Sequence, residues 1–407
     1  MTLDQARALD AADPLAFARA RFALPEGIIY LDGNSLGALP LATPASVATP
    51  VEEQWGGDLI TRWNKHKWID APFRLGARLA PIVGAGEDEL LVADSTSVNL
   101  FKLLVAALEA RPGRRVILSE EGNFPTDLYV AQGLAHMIAG AELRTVPAER
   151  IGEAMDDETA VLMLTHVDYR SGRKHDMAAL TALAHSAGAL ALWDLSHSAG
   201  AMAVDLAGSR ADLAVGCGYK YLNGGPGAPA FLFVAGHLQG QLRNPLSGWM
   251  GDQAPFAFEP TYRPRDGIGR FLTGTPSVIA LAALEAGLST FDGVDIDAVE
   301  AKARSLSEHF ISSVEARCPQ LALASPRDPA QRGSHVVFAH PNAHAVMQAL
   351  IECGVIGDFR APDLVRFGFA PLYNSHEDAW RASQLLGDLL DSGEWDQPRF
   401  HARMAVT

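Results

Sequence analysis

Two short stretches of the chain decide the fold: Leu190-Ala191-Leu192-Trp193-Asp194 and Leu213-Ala214-Val215-Gly216-Cys217-Gly218-Tyr219-Lys220. Each begins with a continuous apolar run and ends in a charged residue. Apolar runs of this length are typical of strands that are buried on both faces of a parallel sheet. Because ligands of open parallel sheets bind beyond the carboxyl ends of the strands, Asp194 and Lys220 are predicted to lie at a binding site.

The same alternation of apolar runs with helical segments extends outward in both directions and predicts an α/β fold. A smaller α+β unit is predicted after a long helix at 296–316. The predicted division is an N-terminal segment packing with the small domain (1–45), a large domain (46–285) and a small domain (286–407). Strands of the large domain are predicted at 90–93, 115–118, 143–146, 160–164, 190–193 and 213–215, with an edge or antiparallel strand at 230–234.

Composition limits the classes of function. The chain has 407 residues and a formal net charge of −15, which disfavours nucleic acid and membrane surfaces as partners. It contains no apolar stretch long enough to span a bilayer, and its first residues do not resemble a signal peptide, so a cytoplasmic location is expected. Three widely spaced cysteines, Cys217, Cys318 and Cys353, predict neither a disulfide framework nor a metal site.

The chemistry is carried by residues that follow the predicted strands. Lys220, flanked by glycines and an aromatic residue, can be desolvated into a nucleophilic amine. Asp194 can sit against a protonated pyridine nitrogen, which is the electron-sink arrangement that pyridoxal phosphate requires. An ordinary buried ion pair would explain the same spacing, so this spacing leaves both interpretations open.

A turn that could hold a phosphate lies between a strand and a helix, at Asp94-Ser95-Thr96-Ser97-Val98-Asn99. Free backbone N–H groups at a helix N-terminus bind a dianion readily, although a plain N-cap by Ser95 or Thr96 is the alternative. In 123–127, Phe124 could lie flat on a pyridine ring, although a turn that ends in Asp127 is also a standard helix start. Gly84-x-Gly86 precedes a strand, so a dinucleotide cofactor is excluded.

Taken together, these motifs resemble the kynureninase family of fold-type I pyridoxal-phosphate enzymes, whose fold has a mostly parallel seven-stranded sheet between helices. The resemblance covers roughly residues 15–390. The segments that carry it are Tyr30–Gly37, Thr96–Leu100, Asn123–Asp127, Trp193–Gly200, Gly218–Gly227, Gly248-Trp249, Arg270–Pro276 and Val365–Ser375.

The resemblance implies hydrolytic Cβ–Cγ cleavage of L-kynurenine, or of 3-hydroxykynurenine, to anthranilate or its 3-hydroxy form and L-alanine in tryptophan degradation. It implies a homodimer with shared active sites, in which Trp249 and Thr275 reach the phosphate of the neighbouring subunit's cofactor. Catalytic roles fall to Lys220 as the Schiff-base lysine, Asp194 at the ring nitrogen and Tyr219 as an acid/base. Further cofactor contacts are implied for Thr96, Ser97, Phe124, Pro125, Thr126, Asp127, Asp168 and His197.

Substrate contacts are also predicted. Arg366 is the candidate for binding the substrate α-carboxylate, because a guanidinium matches a carboxylate bidentately. Asn34, Ser35 and Trp63 are further candidates for substrate binding, although Trp63 could equally belong to the core. No metal is required.

Two alternatives remain open from the sequence. A cysteine desulfurase or an aminotransferase could use the same scaffold, although neither Cys318 nor Cys353 has an electropositive loop that would lower its pKa. A non-catalytic scaffold protein is the other alternative, and the intact Lys220, Asp194 and Thr96 argue against it.

Overall fold

A computed structural model describes residues 2–402 of the chain, apart from the side chain of Arg62. The strands are β1 (Ile29–Tyr30), β2 (Leu90–Val92), β3 (Val116–Glu120), β4 (Glu142–Val146), β5 (Thr159–Thr165), β6 (Leu190–Asp194), β7 (Leu213–Gly216), β8 (Phe231–Val234), β9 (Ala322–Leu323), β10 (His335–Ala339), β11 (Val355–Ile356), β12 (Asp358–Arg360) and β13 (Leu364–Gly368).

The α-helices are α1 (Leu3–Ala11), α2 (Thr43–Ala48), α3 (Gly56–Asp58), α4 (Arg62–Lys65), α5 (Ala71–Val83), α6 (Thr96–Ala110), α7 (Pro125–Met137), α8 (Ile151–Ala154), α9 (Met177–Ser186), α10 (Gly236–Gln239), α11 (Val278–Ser289), α12 (Ile296–Arg317), α13 (Ala343–Glu352), α14 (His376–Ser392) and α15 (Pro398–His401). A π-helical stretch covers Thr49–Trp55. Short 3₁₀ turns occur at Ala16–Arg21, Leu59–Thr61, Trp68–Asp70, Ala148–Arg150, Trp249–Gly251, Gly267–Phe271 and Pro329–Gln331.

The main sheet has seven strands in the order β2-β8-β7-β6-β5-β3-β4. Strands β7, β6, β5, β3 and β4 pair in parallel, whereas β8 is antiparallel to both of its neighbours. The predicted α/β fold with a mostly parallel seven-stranded sheet is confirmed. The run at 230–234 is antiparallel, but it is not the edge, because β2 lies outside it.

The apolar runs form the centre of this sheet because helices cover it. Every residue of β5, β6 and β7 is buried. Their side chains belong to one large hydrophobic core, which also takes in Leu100 and Leu104 of α6. A strand buried on both faces cannot alternate apolar and polar residues, which explains the continuous apolar runs in the sequence.

A second, smaller sheet has the order β12-β13-β10-β9, and its strands are antiparallel. It has a separate hydrophobic core, in which Phe310 of α12 packs against Phe338 and Phe367. The sequence predicted β10, β13 and the helices α13 and α14, but it did not predict the short strands β9 and β12.

The N-terminal segment contacts both cores. Strand β1 pairs in parallel with β11, and Arg7 of α1 forms an ion pair with Glu377 of α14 at 3.0 Å. Leu15 and Phe22, in contrast, belong to the large core. The predicted segments 1–45 and 286–407 extend to residues 1 and 403–407, which lie outside the described part of the chain, and the division stays a prediction.

A hairpin at 167–174 joins the large sheet to the small one. Val167 pairs with Lys174 across it, the Lys174 N–H donates to the Gln331 carbonyl at 2.8 Å, and the Gly333 N–H donates to the Gly172 carbonyl at 2.8 Å. Gly172 has φ +75°, and a Cβ there would lie 2.7 Å from the His335 carbonyl oxygen. The hairpin backbone is therefore held directly against the residues that lead into β10.

None of the helices within residues 2–402 is both long enough and apolar enough to span a membrane.

Candidate active site

Asp194 and Lys220 both lie beyond the carboxyl edge of the parallel strands. Asp194 ends β6, where it is in register with Thr165 of β5 and Val215 of β7. Lys220 follows β7 through a turn that passes close to another chain segment, since a Cβ at Gly218 would lie 2.3 Å from the Pro229 carbonyl oxygen. Glycine is therefore needed at position 218, and the turn brings the lysine to the same edge as the aspartate.

The Asp194 carboxylate is held by its own turn. Its Oδ1 atom accepts hydrogen bonds from the Ser196 backbone N–H at 2.8 Å and from the Ser196 hydroxyl at 2.6 Å. Ser196 thus holds one oxygen of this carboxylate, and the neighbouring Asp127 carboxyl also hydrogen-bonds to Asp194. An ordinary Asp–Lys ion pair, the alternative that the sequence left open, does not form among these residues.

Asp127 stands beside Asp194 as a second buried carboxyl group. It lies in the first turn of α7 and is 1% exposed, while Asp194 is 3% exposed. Burial raises the pKa of Asp127 well above its ordinary value, and the negative charge of Asp194 raises it further. Within this pair a proton is therefore favoured on Asp127.

Aromatic rings surround the Lys220 amine. Its Nζ lies 5.7 Å from the centroid of the Phe124 ring and 5.9 Å from that of the Tyr219 ring. Phe124 also packs edge-on against Tyr169 of the hairpin, with centroids 5.2 Å apart. Burial raises the pKa of the Tyr219 phenol, and the neighbouring Cys217 and Asp194 add to the effect, so this phenol keeps its proton at neutral pH.

The predicted phosphate turn is present between β2 and α6. Ser95 is the N-cap, and its hydroxyl accepts from the Val98 N–H at 3.3 Å, so the capping alternative is realised there. Thr96 and Ser97 are the first two residues of the helix. A cap and an anion site are compatible at this position, because a helix start leaves several N–H groups without intrahelical partners.

Pro125 and Thr126 begin α7 directly after Phe124. This helix start therefore carries Phe124 and Asp127 on the same short segment.

His197 and Asp168 lie at the same edge. His197 is buried, and its Nδ1 atom has no hydrogen-bond partner. Burial lowers the pKa of His197, and the charge of Lys220 lowers it further, so the ring is neutral. Asp168 Oδ1 accepts from the Ser171 N–H at 2.6 Å, which shapes the hairpin. The ring of His335, in β10, packs edge-on against His197 at 5.3 Å.

Arg366 is buried in β13, but its guanidinium is already occupied. Its Nε donates to Asp358 at 2.8 Å, its Nη2 pairs with the second oxygen of that carboxylate, and its Nη1 donates to the Tyr169 carbonyl. Ser35 accepts a further hydrogen bond from Nη2 at 3.2 Å. We expected a side chain free to clamp a substrate carboxylate, whereas the structure pairs it with an internal one.

Sequence reasoning missed Asp358 and Arg360, which complete this cluster. Arg360 Nη2 lies 2.8 Å from Asp358 Oδ2, so two arginines share one carboxylate. Burial would raise the pKa of Asp358, but the charge and hydrogen bonds of Arg366 outweigh it and the pKa is lowered. Asp32 adds a buried carboxyl whose pKa is raised to about 7, by burial and then by Asp358. Asp358 begins the short strand β12, and sequence alone does not distinguish a charged residue there from a surface residue.

The other predicted residues differ in burial and contacts: they are Asn34, Trp63, Trp249 and Thr275. Asn34 is fully buried, and neither end of its amide has a partner. Trp63 is half-buried in α4 and packs edge-on against Trp68 at 5.8 Å, so its place beside a substrate ring stays a prediction. Trp249 is 36% exposed and Thr275 is also exposed.

This donor set fits pyridoxal phosphate. The start of α6 can bind a phosphate dianion. The Lys220 amine can react with an aldehyde. The buried Asp194 carboxyl group can face a pyridinium nitrogen. An aromatic ring face is offered by Phe124, and the buried Nδ1 of His197 is an unused polar atom at the same edge. The residues that would hold each part of the cofactor are thus present together.

Comparisons with known proteins agree with this geometry. A protein named kynureninase from Pseudomonas fluorescens is 52% identical over 414 residues, and the match covers 100% of both chains. The chain belongs to the kynureninase family. A second member of the kynureninase family, from Burkholderia mallei (strain SAVP1), is 52% identical over 415 residues, again across 100% of both chains.

Residues 299–386 match the family model described as the kynureninase C-terminal domain. Solved structures with the same fold are more distant from this kynureninase family member. The apo cysteine desulfurase of Thermococcus onnurineus NA1 has a TM-score of 0.78 at 19% identity, covering 93% of this chain and 98% of that one. A mutant of the protein C-DES, with glycine covalently linked to its PLP cofactor, has a TM-score of 0.79 at 19% identity, covering 90% and 98%. At this identity these structures support the fold alone.

Proposed function

We propose that the protein is a kynureninase, which adds water across the Cβ–Cγ bond of L-kynurenine to give anthranilate and L-alanine. The observation that carries the proposal is the convergence of Lys220, Asp194 and the start of α6 at one sheet edge, in a chain that is 52% identical to a kynureninase over its full length. 3-Hydroxykynurenine is the second candidate substrate.

The cofactor is pyridoxal phosphate. When bound, it supplies the electron sink that stabilises negative charge next to the substrate amine carbon. The Lys220 amine would hold the aldehyde, and Thr96, Ser97 and Tyr219 would bind the phosphate. Phe124 would contact the ring, and Asp194 would face the ring nitrogen and favour its protonated form. His197 would lie on the side of the phenolic oxygen, and Pro125, Thr126 and Asp168 would complete the contacts.

Two side chains move protons in this proposal. When it is not bound to the cofactor, the Lys220 Nζ would take the proton from the substrate Cα. The Tyr219 phenol lies beside that amine and retains its proton, because burial raises its pKa. It is therefore placed to protonate the Cβ carbon when the Cβ–Cγ bond breaks, after water has added to the γ-carbonyl.

The substrate carboxylate is proposed to bind Arg366, with Asn34 and Ser35 beside it. Because Asp358 already occupies the guanidinium, binding requires that the substrate compete with an internal carboxylate or share the arginine pair with it. Arg360 lies 2.8 Å from Asp358 and can retain that carboxylate as Arg366 turns to the substrate. Trp63 is proposed as part of the wall around the aryl ring.

The protein is proposed to act as a cytoplasmic homodimer with shared active sites. Trp249 stacks on Phe258 at 6.2 Å and packs edge-on against Phe256 at 5.4 Å, while Phe258 is 75% exposed and Phe256 is 53% exposed. An exposed aromatic cluster of this kind is typical of an interface. Trp249 and Thr275 would then reach the partner subunit's cofactor phosphate. The division into 1–45, 46–285 and 286–407 is proposed with it, supported by two separate cores.

The thiols argue against a desulfurase. That reaction needs a reactive thiolate, but burial raises the pKa of Cys217 and that of Cys353, and raises the pKa of Cys318 to about 11. All three groups are therefore protonated at neutral pH, whereas the nucleophilic form of a cysteine is the thiolate.

The test is an assay of the purified protein for anthranilate release from kynurenine and for 3-hydroxyanthranilate release from 3-hydroxykynurenine. We expect turnover that disappears in Lys220→Ala while the variant remains folded. Sulfide release from cysteine with kynurenine untouched would establish the desulfurase alternative instead. A protein that takes up no pyridoxal phosphate would favour a non-catalytic scaffold.

A further inference from the structure

Lys102 is a buried lysine that the proposed chemistry does not use. It lies on α6, and its side chain has no exposed surface. Its Nζ pairs with the Asp94 carboxylate and donates to the Phe271 carbonyl at 2.7 Å. Burial lowers the pKa of Lys102, and the Asp94 charge opposes this effect. A buried ammonium is costly unless it is paired, so this contact needs an explanation.

Asp94, the first partner, begins the phosphate turn. It has φ +51°, a left-handed conformation that is unfavourable for a residue other than glycine, asparagine or aspartate. Its carbonyl accepts from the Ala230 N–H at 2.9 Å, which fixes the end of β2 against β8. Ser95, Thr96 and Ser97 follow directly. Without a cation beside it, the Asp94 carboxylate would repel a phosphate dianion bound at the same turn.

Phe271, the second partner, leads into the segment that carries Thr275. It ends the 3₁₀ turn Gly267–Phe271. The segment is also held from the side of Trp249, because a Cβ at Gly248 would lie 2.2 Å from the Thr273 carbonyl oxygen. A cavity of about 210 Å³ separates this segment from the phosphate turn, and its lining includes Asp94 and Thr275. The Lys102 ammonium thus bonds to Asp94 on one side of the cavity and to Phe271, next to the lining residue Leu272, on the other.

We propose that Lys102 is a positioning residue for the cofactor phosphate, which neutralises Asp94 and fixes the phosphate turn against the segment 271–275. The inference rests on the proposed function, since it assumes that a phosphate binds at the start of α6. It assigns Lys102 no contact with the cofactor. Lys102 neutralises the negative charge of Asp94 at the start of the phosphate turn. It also sets the distance between this turn and the segment 271–275.

The test compares two ligands that differ only in the phosphate. Cofactor-free protein is titrated with pyridoxal phosphate and with pyridoxal, following absorbance, for wild type, Lys102→Met, Asp94→Asn and the double variant. We expect Lys102→Met to weaken pyridoxal phosphate binding about 100-fold, as for a buried charge left without its partner, and to change pyridoxal binding less than about threefold. Asp94→Asn should bind pyridoxal phosphate at least as tightly as wild type.

The double variant isolates the role of charge. It should recover most of the affinity that Lys102→Met loses, because asparagine tolerates the left-handed backbone and carries no charge. Lys302→Met is the matched control: Lys302 is also buried and pairs with Asp13 at 2.6 Å, but it lies on α12, away from the phosphate turn. It should lower the unfolding midpoint and leave pyridoxal phosphate affinity unchanged.

Three results would overturn the proposal: equal losses for pyridoxal and pyridoxal phosphate, a double variant no better than Lys102→Met, or an Asp94→Asn variant as weak as Lys102→Met. If Lys102→Met fails to fold, Asp94→Asn alone decides. A wild-type protein that binds neither ligand would contradict the proposed function instead, so the two failures are distinguishable.

Discussion

Replacing Asp194 by asparagine tests the central electrostatic feature of the site. The substitution keeps the shape of the side chain and removes its charge. An opposite charge within hydrogen-bonding range commonly shifts a pKa by about 1–3 units, and one unit is about 1.4 kcal/mol. The carboxylate is 3% exposed, so solvent screens little of this effect. We expect the ring nitrogen to lose its proton and kcat to fall about 100-fold or more.

Asp127→Asn is the matched control for that experiment. Because burial and the neighbouring Asp194 raise the pKa of Asp127, a neutral asparagine is a closer replacement at position 127 than at position 194, and we expect kcat to fall by less than about tenfold. Both variants are assayed by the fluorescence of released anthranilate, and the absorbance of the bound cofactor is recorded across pH. If Asp194→Asn stays within about fivefold of wild type, or if Asp127→Asn is the more damaging change, the assignment of charge within the pair is wrong.

Three further predictions concern other parts of the molecule. Arg366→Lys keeps the charge but loses the bidentate geometry, so KM for kynurenine should rise about 100-fold with a smaller change in kcat; an unchanged KM would place the substrate carboxylate elsewhere. Asp32 has a folded pKa of about 7 against an ordinary value of 3.8, so the folded chain holds a proton that the unfolded chain has lost, and stability falls as pH rises through this window. Asp32→Asn should therefore reduce this fall by about 2 kcal/mol in urea unfolding at about pH 5 and about pH 8, and parallel curves for the variant and wild type would refute it. Phe258→Glu should shift the protein toward monomers in sedimentation experiments, whereas an unaffected dimer would show that the cluster around Trp249 lies outside the interface.

The large domain could be read from the sequence because burial on both faces leaves a clear pattern. The runs that end at Asp194 and lead to Lys220 have no polar interruption, so both the strands and their active edge were predictable. Helix α5 was missed because it contains helix-breaking residues. Gly76 is required there, since a Cβ would lie 2.3 Å from the Leu90 carbonyl oxygen, and Pro81 lies inside the helix.

The substrate side of the site was less predictable, because its charges are paired through tertiary contacts. The position of Arg366 inside an apolar strand indicated a buried guanidinium. It could not reveal that Asp358, on the neighbouring strand β12, already neutralises it. A three-residue strand that begins and ends with a charged residue has no hydrophobic pattern, so neither Asp358 nor Arg360 could be assigned from sequence.

The hairpin at 167–174 has a mechanical consequence. Its backbone hydrogen-bonds to Gln331 and Gly333, just before β10. The Tyr169 carbonyl accepts from Arg366, and the Tyr169 ring packs against Phe124. Tyr169 therefore connects Arg366 of the small sheet to the Phe124 ring, whose centroid lies 5.7 Å from the Lys220 Nζ. A displacement of the small sheet would be transmitted through this hairpin to the aromatic ring beside the lysine.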